Sequence, residues 1–233
     1  MKLSKRNLVR LTMLAGAVTL AAVAAVGMGG CNLIAAGAFI VGGYEKTEAV
    51  YTLDEKRTTV IFVDDRGSVL RQRAVRELIA SGAEEKLLEE KIVLDMVQGR
   101  QAIAASKTER AGKLLTIEQI GKVVLAQVII YANVDSFTLK PDGQTYQPTA
   151  VLSVKVIDVE TGLKLFPNPD SGQDSYSFTV NFKERTEEAP GSFAAELGEE
   201  QRFAKSVGVR LAQLFFKHDR IENAGDSLRE RRK

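Results

Sequence analysis

From Leu11 to Gly43 the chain carries no charged side chain. An uncharged apolar run of that length cannot lie on the surface of a soluble domain, and about 20 such residues already span a bilayer. Four positive charges, Lys2, Lys5, Arg6 and Arg10, stand ahead of it. The core of the run, Leu11 to Gly27, is interrupted only by Thr12 and Thr19, and Gly29 and Gly30 close it. A basic start, an apolar centre and small residues that an extended-chain peptidase can accept predict a secretory signal over residues 1–30. The positive-inside rule leaves residues 2–10 in the cytoplasm and sends everything after residue 44 across the membrane. The formal charge of +2 belongs to this segment: without its four basic residues the chain has 28 basic against 30 acidic side chains. That balance gives no case for nucleic acid as a partner.

Met28-Gly29-Gly30-Cys31 resembles a bacterial lipobox, with Met28 where Leu is usual. In that family the Cys thiol takes a diacylglycerol, the chain is cut before it, and the new amine is often acylated. The resemblance makes Cys31 the lipid-attachment residue and the covalent lipid the only prosthetic group expected. Asn32 is not the Asp that commonly retains such proteins at the inner membrane, which favours the outer membrane. The rival reading is an uncleaved transmembrane anchor, because the apolar run resumes after Cys31 as LIAAGAFIVGG. Cys31 is the only Cys, so neither an intramolecular disulfide nor a Cys-based zinc site can form. The single His excludes chemistry that needs two imidazoles in one chain.

Over the whole chain 45% of residues are hydrophobic and 27% charged, an ordinary globular balance. Residues 31–57 are expected as an apolar segment followed by a polar linker, 58–217 as a single α/β (α+β) domain, and 218–233 as a frayed polar tail. TTVIFVDD (58–65) is a β-branched, apolar strand buried on both faces, ending in the turn Asp64-Asp65-Arg66-Gly67. Residues 70–90 place Leu70, Ala74, Leu78, Leu87 and Leu88 at helical spacing, with Gly82 as an interruption. A second strand is expected at 91–95, a weaker helix at 96–112, and a helix at 116–125 capped by Thr116. Strands follow at 126–139 and 149–160, separated by the turn signal Pro141-Asp142-Gly143. Beyond the Thr161-Gly162 turn and a polar loop, Tyr176, Phe178, Val180 and Phe182 alternate with Ser177, Thr179, Asn181 and Lys183. That alternation is a half-exposed strand. Phe203, Val207, Leu211, Leu214 and Phe215 stripe a long helix over 193–217. The order β-α-β-α-α-β-β-β-α implies a mixed sheet of about five strands with helices packed on it.

Two segments together carry a second resemblance: IGKVVLAQVIIYANVDSF (120–137) and LSVKVIDVETGLKLF (152–166). Helix, Gly, bridge and strand, then strand, acidic residue, Thr-Gly and strand, are similar to the periplasmic α/β domain of the curli-secretion lipoproteins and of the lipoprotein activators of peptidoglycan synthases. Related domains occur in flagellar outer-membrane lipoproteins and in the N-terminal domain of the Tol-system translocation protein. The likeness covers roughly residues 58–217. It implies binding, scaffolding or pore formation, with an envelope protein or further copies of the chain as partner and no small-molecule substrate. It transfers no catalytic residue.

Asp64 and Asp65 end the first strand, where α/β ligands often sit, and could bind a cation or act as acid and base; a solvated turn is the plainer reading. Asp135 and Asp158 lie in or near paired strands without a visible ligand set. His218, beside Lys217 and Asp219, reads as a helix-end histidine. Gly112-Lys113 and Gly121-Lys122 lack the upstream Gly of a phosphate loop. The chain is therefore expected to be a non-catalytic, lipid-anchored binding or assembly factor of the bacterial envelope, with no metal and no cofactor beyond its lipid. The alternatives are an oligomeric export pore using 174–184 and 149–159 as membrane strands, and a small hydrolase using Asp64 or Asp65.

Overall fold

In a computed structural model, residues 46–110, 113–182 and 192–219 are described. Cys31, the leader and residues 220–233 lie outside them. The first long strand, β2 (Thr59–Asp64), is buried along its length, as its unbroken run of β-branched and aromatic residues requires. It follows a two-residue strand β1 (Lys46–Thr47) and a segment that sends Leu53 into the core. Residues 46–57, expected as linker, are thus partly built into the body. The apolar Leu53 and Tyr51 find partners there, with the Tyr51 ring 5.5 Å from that of Phe166.

Helix α1 (Ala74–Glu89) runs unbroken through Gly82. Gly82 does not interrupt it; it marks where a second helix crosses. A methyl group on Gly82 would overlap the Lys205 carbonyl. The expected strand at 91–95 is displaced. Lys91 (φ 56°) and Ile92 instead end α1, Ile92 N–H donating to Leu87 O at 2.9 Å. Capping the orphan carbonyls of the helix takes those residues away from a ladder. The strand that forms is β3 (Met96–Val97), parallel to β2.

Helix α2 (Gly99–Ala105), the short pair β4 (Glu109–Arg110) and β5 (Lys113–Leu114), and helix α3 (Ile117–Val123) follow. Thr116 caps α3 as expected, and Gln119 is its reciprocal partner. Then come β6 (Val128–Thr138), β7 (Thr149–Asp158), β8 (Lys164–Phe166) and β9 (Tyr176–Asn181). Helix α4 (Phe193–Gln213) carries the long apolar stripe, and β10 (His218–Asp219) returns to pair with β1.

The sheet order is β3-β2-β6-β7-β8, with β9 also on β7. β6 is parallel to β2 and antiparallel to β7. β8 takes Val156 and Ile157 of β7, and β9 takes Thr149 to Val154 farther along the same edge. The mixed sheet with packed helices is the expected architecture. Its larger core joins Ile61, Val63, Ile130, Val134, Leu152 and Val154 to α1 and α4. Its smaller core sets Val60, Phe62, Ile129, Tyr131 and Ile157 against α2 and α3. The second pair of helices is short, so the far half of that face stays open. The burial of β6 records this: continuous from Val128 to Ala132, then broken by partly exposed Asn133 and exposed Asp135. No helix among the described residues is long and apolar enough to cross a membrane.

Candidate functional site

Asp64 closes β2 at the carboxyl ends of two parallel strands, where α/β folds place ligands. Its Oδ2 accepts from the Tyr131 hydroxyl at 3.0 Å and from Arg66 Nε at 3.2 Å. Its Oδ1 accepts from the Asp65 N–H at 2.9 Å, with a buried Arg76 guanidinium nitrogen 3.6 Å away. Arg76 Nε donates to Val63 O at 2.9 Å, which fixes that guanidinium. Burial, and then the Asp64 charge, push the Tyr131 phenol far above its ordinary range, so it stays a proton donor. Asp65 does different work: its carboxylate accepts from the N–H groups of Val69 (2.8 Å) and Leu70 (3.2 Å), shaping the loop into α1.

The network continues across the open half-face. Asn133 accepts from the Arg66 N–H at 3.3 Å and donates to Asp135 Oδ1 at 2.6 Å. Ser153 Oγ donates to Asp135 Oδ2 at 2.5 Å. Asp135 is the extra residue of a bulge, since Val134 faces Leu152 and Ser136 faces Val151. Both of its oxygens and both of Asp64's are thereby engaged. These hydrogen bonds order a polar surface spanning β2, β6 and β7. Among the described residues no three His, Cys, Asp or Glu side chains converge to hold a metal ion. The sequence singled out Asp64 and Asp135 but not Tyr131, Asn133, Ser153, Arg66 or Arg76. The only signal for Tyr131, Asn133 and Ser153 was polar residues at alternate strand positions; Arg66 in a turn and Arg76 in α1 carried none.

At the opposite end of the sheet, Arg57 reaches Asp158 Oδ2 at 2.6 Å and Gln127 O at 3.0 Å. The Thr161 N–H donates to Asp158 Oδ1 at 2.8 Å. That backbone hydrogen bond, with Arg57, holds the Asp158 carboxyl down at about 2. A folded-state value below the unfolded one stabilises above pH 4 and is lost as pH falls toward 2. Asp158→Asn is therefore expected to flatten the stability profile between pH 4 and 2 while leaving its slope near neutrality unchanged. Urea titrations across that range check it.

Beside this pair lies an open groove of about 560 Å³, lined by Arg57, Lys122, Leu125, Gln127, Asp158 and Glu160. Leu125 is 83% exposed and left-handed (φ 59°), a conformation that costs a non-glycine residue about 1–2 kcal/mol. It is forced by the return from α3 into β6, where Ala126 N–H closes on Gly121 O at 3.0 Å. Leu125→Gly is expected to raise stability by about 1 kcal/mol, read from the urea midpoint, because no packing is lost and the strain is relieved.

His218 lies in β10, its Nδ1 3.1 Å from Phe216 O and its ring edge-on to Phe216. It borders a second groove of about 420 Å³ between β9 and residues 47–50, at the end of α4. Its neighbours fit a helix-end histidine satisfied by the backbone.

No family model matches the chain, and no curated protein matches it. Solved structures similar to it at low identity include bacterial lipoproteins. A PelC dodecamer from Paraburkholderia phytofirmans is 12% identical, over 73% of this chain and 94% of that one, with a TM-score of 0.41. A lipoprotein from Neisseria meningitidis is 10% identical, over 67% and 98%, with a TM-score of 0.39. The C-terminal domain of LpoB from Salmonella enterica is 14% identical, over 55% and 84%, with a TM-score of 0.33.

Proposed function

We propose that the chain is a cell-envelope lipoprotein, anchored through a diacylglycerol on Cys31 and facing the periplasm. Its α/β domain serves as a tethered, non-catalytic docking module for an envelope protein or for further copies of itself. The observation that carries this reading is the ending of the apolar leader in Gly29-Gly30-Cys31, a short distance before a folded body that begins by Lys46. Two or more acyl chains hold a protein stably at a membrane, where one does so only marginally. The outer membrane is the proposed address, from Asn32. The proposed parts are a leader over 1–30, a tether from Cys31, and one domain whose core lies within 58–217.

The surfaces available for docking are the polar half-face around Asp64 and Asp135 and the outer edge of β9, which pairs with no strand among the described residues. The hydrolase reading is disfavoured because Asp65 is spent on its loop and Asp64 on two arginines and a phenol. The export-pore reading is disfavoured because residues 149–154 and 176–181 are paired with each other, with Leu152 and Val154 in the core. Releasing them as membrane strands would dismantle the sheet.

The intact mass of the membrane-extracted protein tests the proposal. A mass equal to residues 31–233 plus acyl chains is expected. The mass of the uncut chain would replace the lipid anchor with a transmembrane one.

A further inference from the structure

Four large apolar side chains stand in water at one end of the sheet: Leu94 (64% exposed), Val123 (60%), Leu125 (83%) and Leu163 (65%). Their placement follows from register. Thr59, the first residue of β2, lies beside Met96 and Val128, and Val128 faces Asp158, the last residue of β7. Leu94 and Leu125 fall just before those strand starts, Leu163 just after that strand end, and Val123 ends α3. We propose that this end of the domain seats on the lipid bilayer surface, with Leu125 as its leading contact. The proposal rests on the anchored reading above.

Three features favour a bilayer over a protein as the occupant. The apolar groups protrude from separate turns instead of lining one shaped pocket, and a fluid hydrocarbon boundary needs no complementary shape. The tether, residues 32–45, can extend to about 50 Å at 3.3–3.6 Å per residue. A body of this size is about 40 Å across, so an anchored domain can bring any face to the membrane. Tethering turns docking into an intramolecular event, in which a weak surface suffices. The charges around the leucines are balanced, with Arg57 paired to Asp158 and Lys122 near Glu160. Contact is therefore expected on zwitterionic lipid and at moderate salt, without the dependence on anionic headgroups that a basic patch shows.

The chain contains no Trp, so a single introduced Trp reports on its own position. Full-length Leu125→Trp is reconstituted into phosphatidylcholine vesicles with and without brominated acyl chains. Phe193→Trp is the control: Phe193 is 65% exposed and stacks against Arg71 at the far end of the sheet. A blue-shifted emission and at least twofold quenching by brominated lipid are expected at position 125, and neither at position 193. Water-like, unquenched emission at 125 from protein that floats with the vesicles would overturn the proposal while leaving the anchor intact. A blue shift without bromine quenching that grows with protein density would overturn it in favour of contact between copies. An uncut mass with quenching retained would remove the lipid anchor and leave the docking surface standing.

Discussion

Gly208→Ala is expected to destabilise the domain by about 3 kcal/mol, whereas Gly198→Ala, earlier in the same helix, is expected to be neutral or to stabilise it by up to about 1 kcal/mol. The substitution is identical, and in a helix interior alanine is the better residue by that last amount. The environments decide the sign. A methyl on Gly208 would overlap the Ile79 carbonyl and lie 2.8 Å from Ala83 N, both backbone atoms of α1. Backbone cannot rotate away as a side chain can, so α1 and α4 must separate, unpacking Val75, Ile79, Ala83, Ala204, Val207 and Leu211. Overpacking of this kind costs about 1–3 kcal/mol and more where nothing yields. Gly198 has nothing within 4 Å of the corresponding position. Gly82 mirrors Gly208 against Lys205, so the two glycines form a reciprocal close crossing, and Gly82→Ala should behave like Gly208→Ala. Urea melts followed by circular dichroism give the comparison. A wild-type midpoint for Gly208→Ala would show that the helices do not pack this closely.

Cys31→Ala is expected to abolish fatty-acid incorporation completely and to leave the leader attached. Cys31 is the only thiol in the chain, so no second site can take the thioether. In lipobox-bearing proteins cleavage follows lipidation. The same substitution should therefore raise the mass on a denaturing gel while removing the label from a metabolically supplied fatty acid. Wild-type protein without label and with the full chain mass would assign residues 11–43 to a membrane-spanning anchor, for which the run is long enough. The α/β domain should fold equally well in either case, because among the described residues its buried core begins at Leu53, with Tyr51 packed against it.

Local patterns made much of the domain readable. Val60 to Val63 offer no polar position to turn toward water, so the centre of β2 had to be buried on both faces. Ala150, Leu152, Val154 and Val156 alternate with partly exposed neighbours, so β7 had to lie with one face in the larger core. Thr116 in front of an apolar repeat announced a cap. The candidate site was less legible. Asp64 was visible as a strand-end carboxylate, but Tyr131 and Arg76, which bind it, lie 67 and 12 positions away in the chain and meet it only when β6 and α1 pack on β2. The bulge that presents Asp135 depends on how β6 registers against β7, which no local period encodes.

By itself the sequence determined the class of fold and the strands and helices with strong periodicity. Each depends on neighbours along the chain: alternation on a strand, a hydroxyl before a helix. Tertiary structure alone decided the rest. Gly82 became a crossing point instead of a break because the Lys205 carbonyl arrives there. Residues 91–92 became a helix cap because the end of α1 needed donors. β9 joined β7 rather than β8 because β8 is short and leaves most of that edge open. The four apolar side chains at one end came together because parallel strands begin where an antiparallel one ends. In each case the deciding partner lies far off in the chain, and contacts of that range exist only after folding has brought them together.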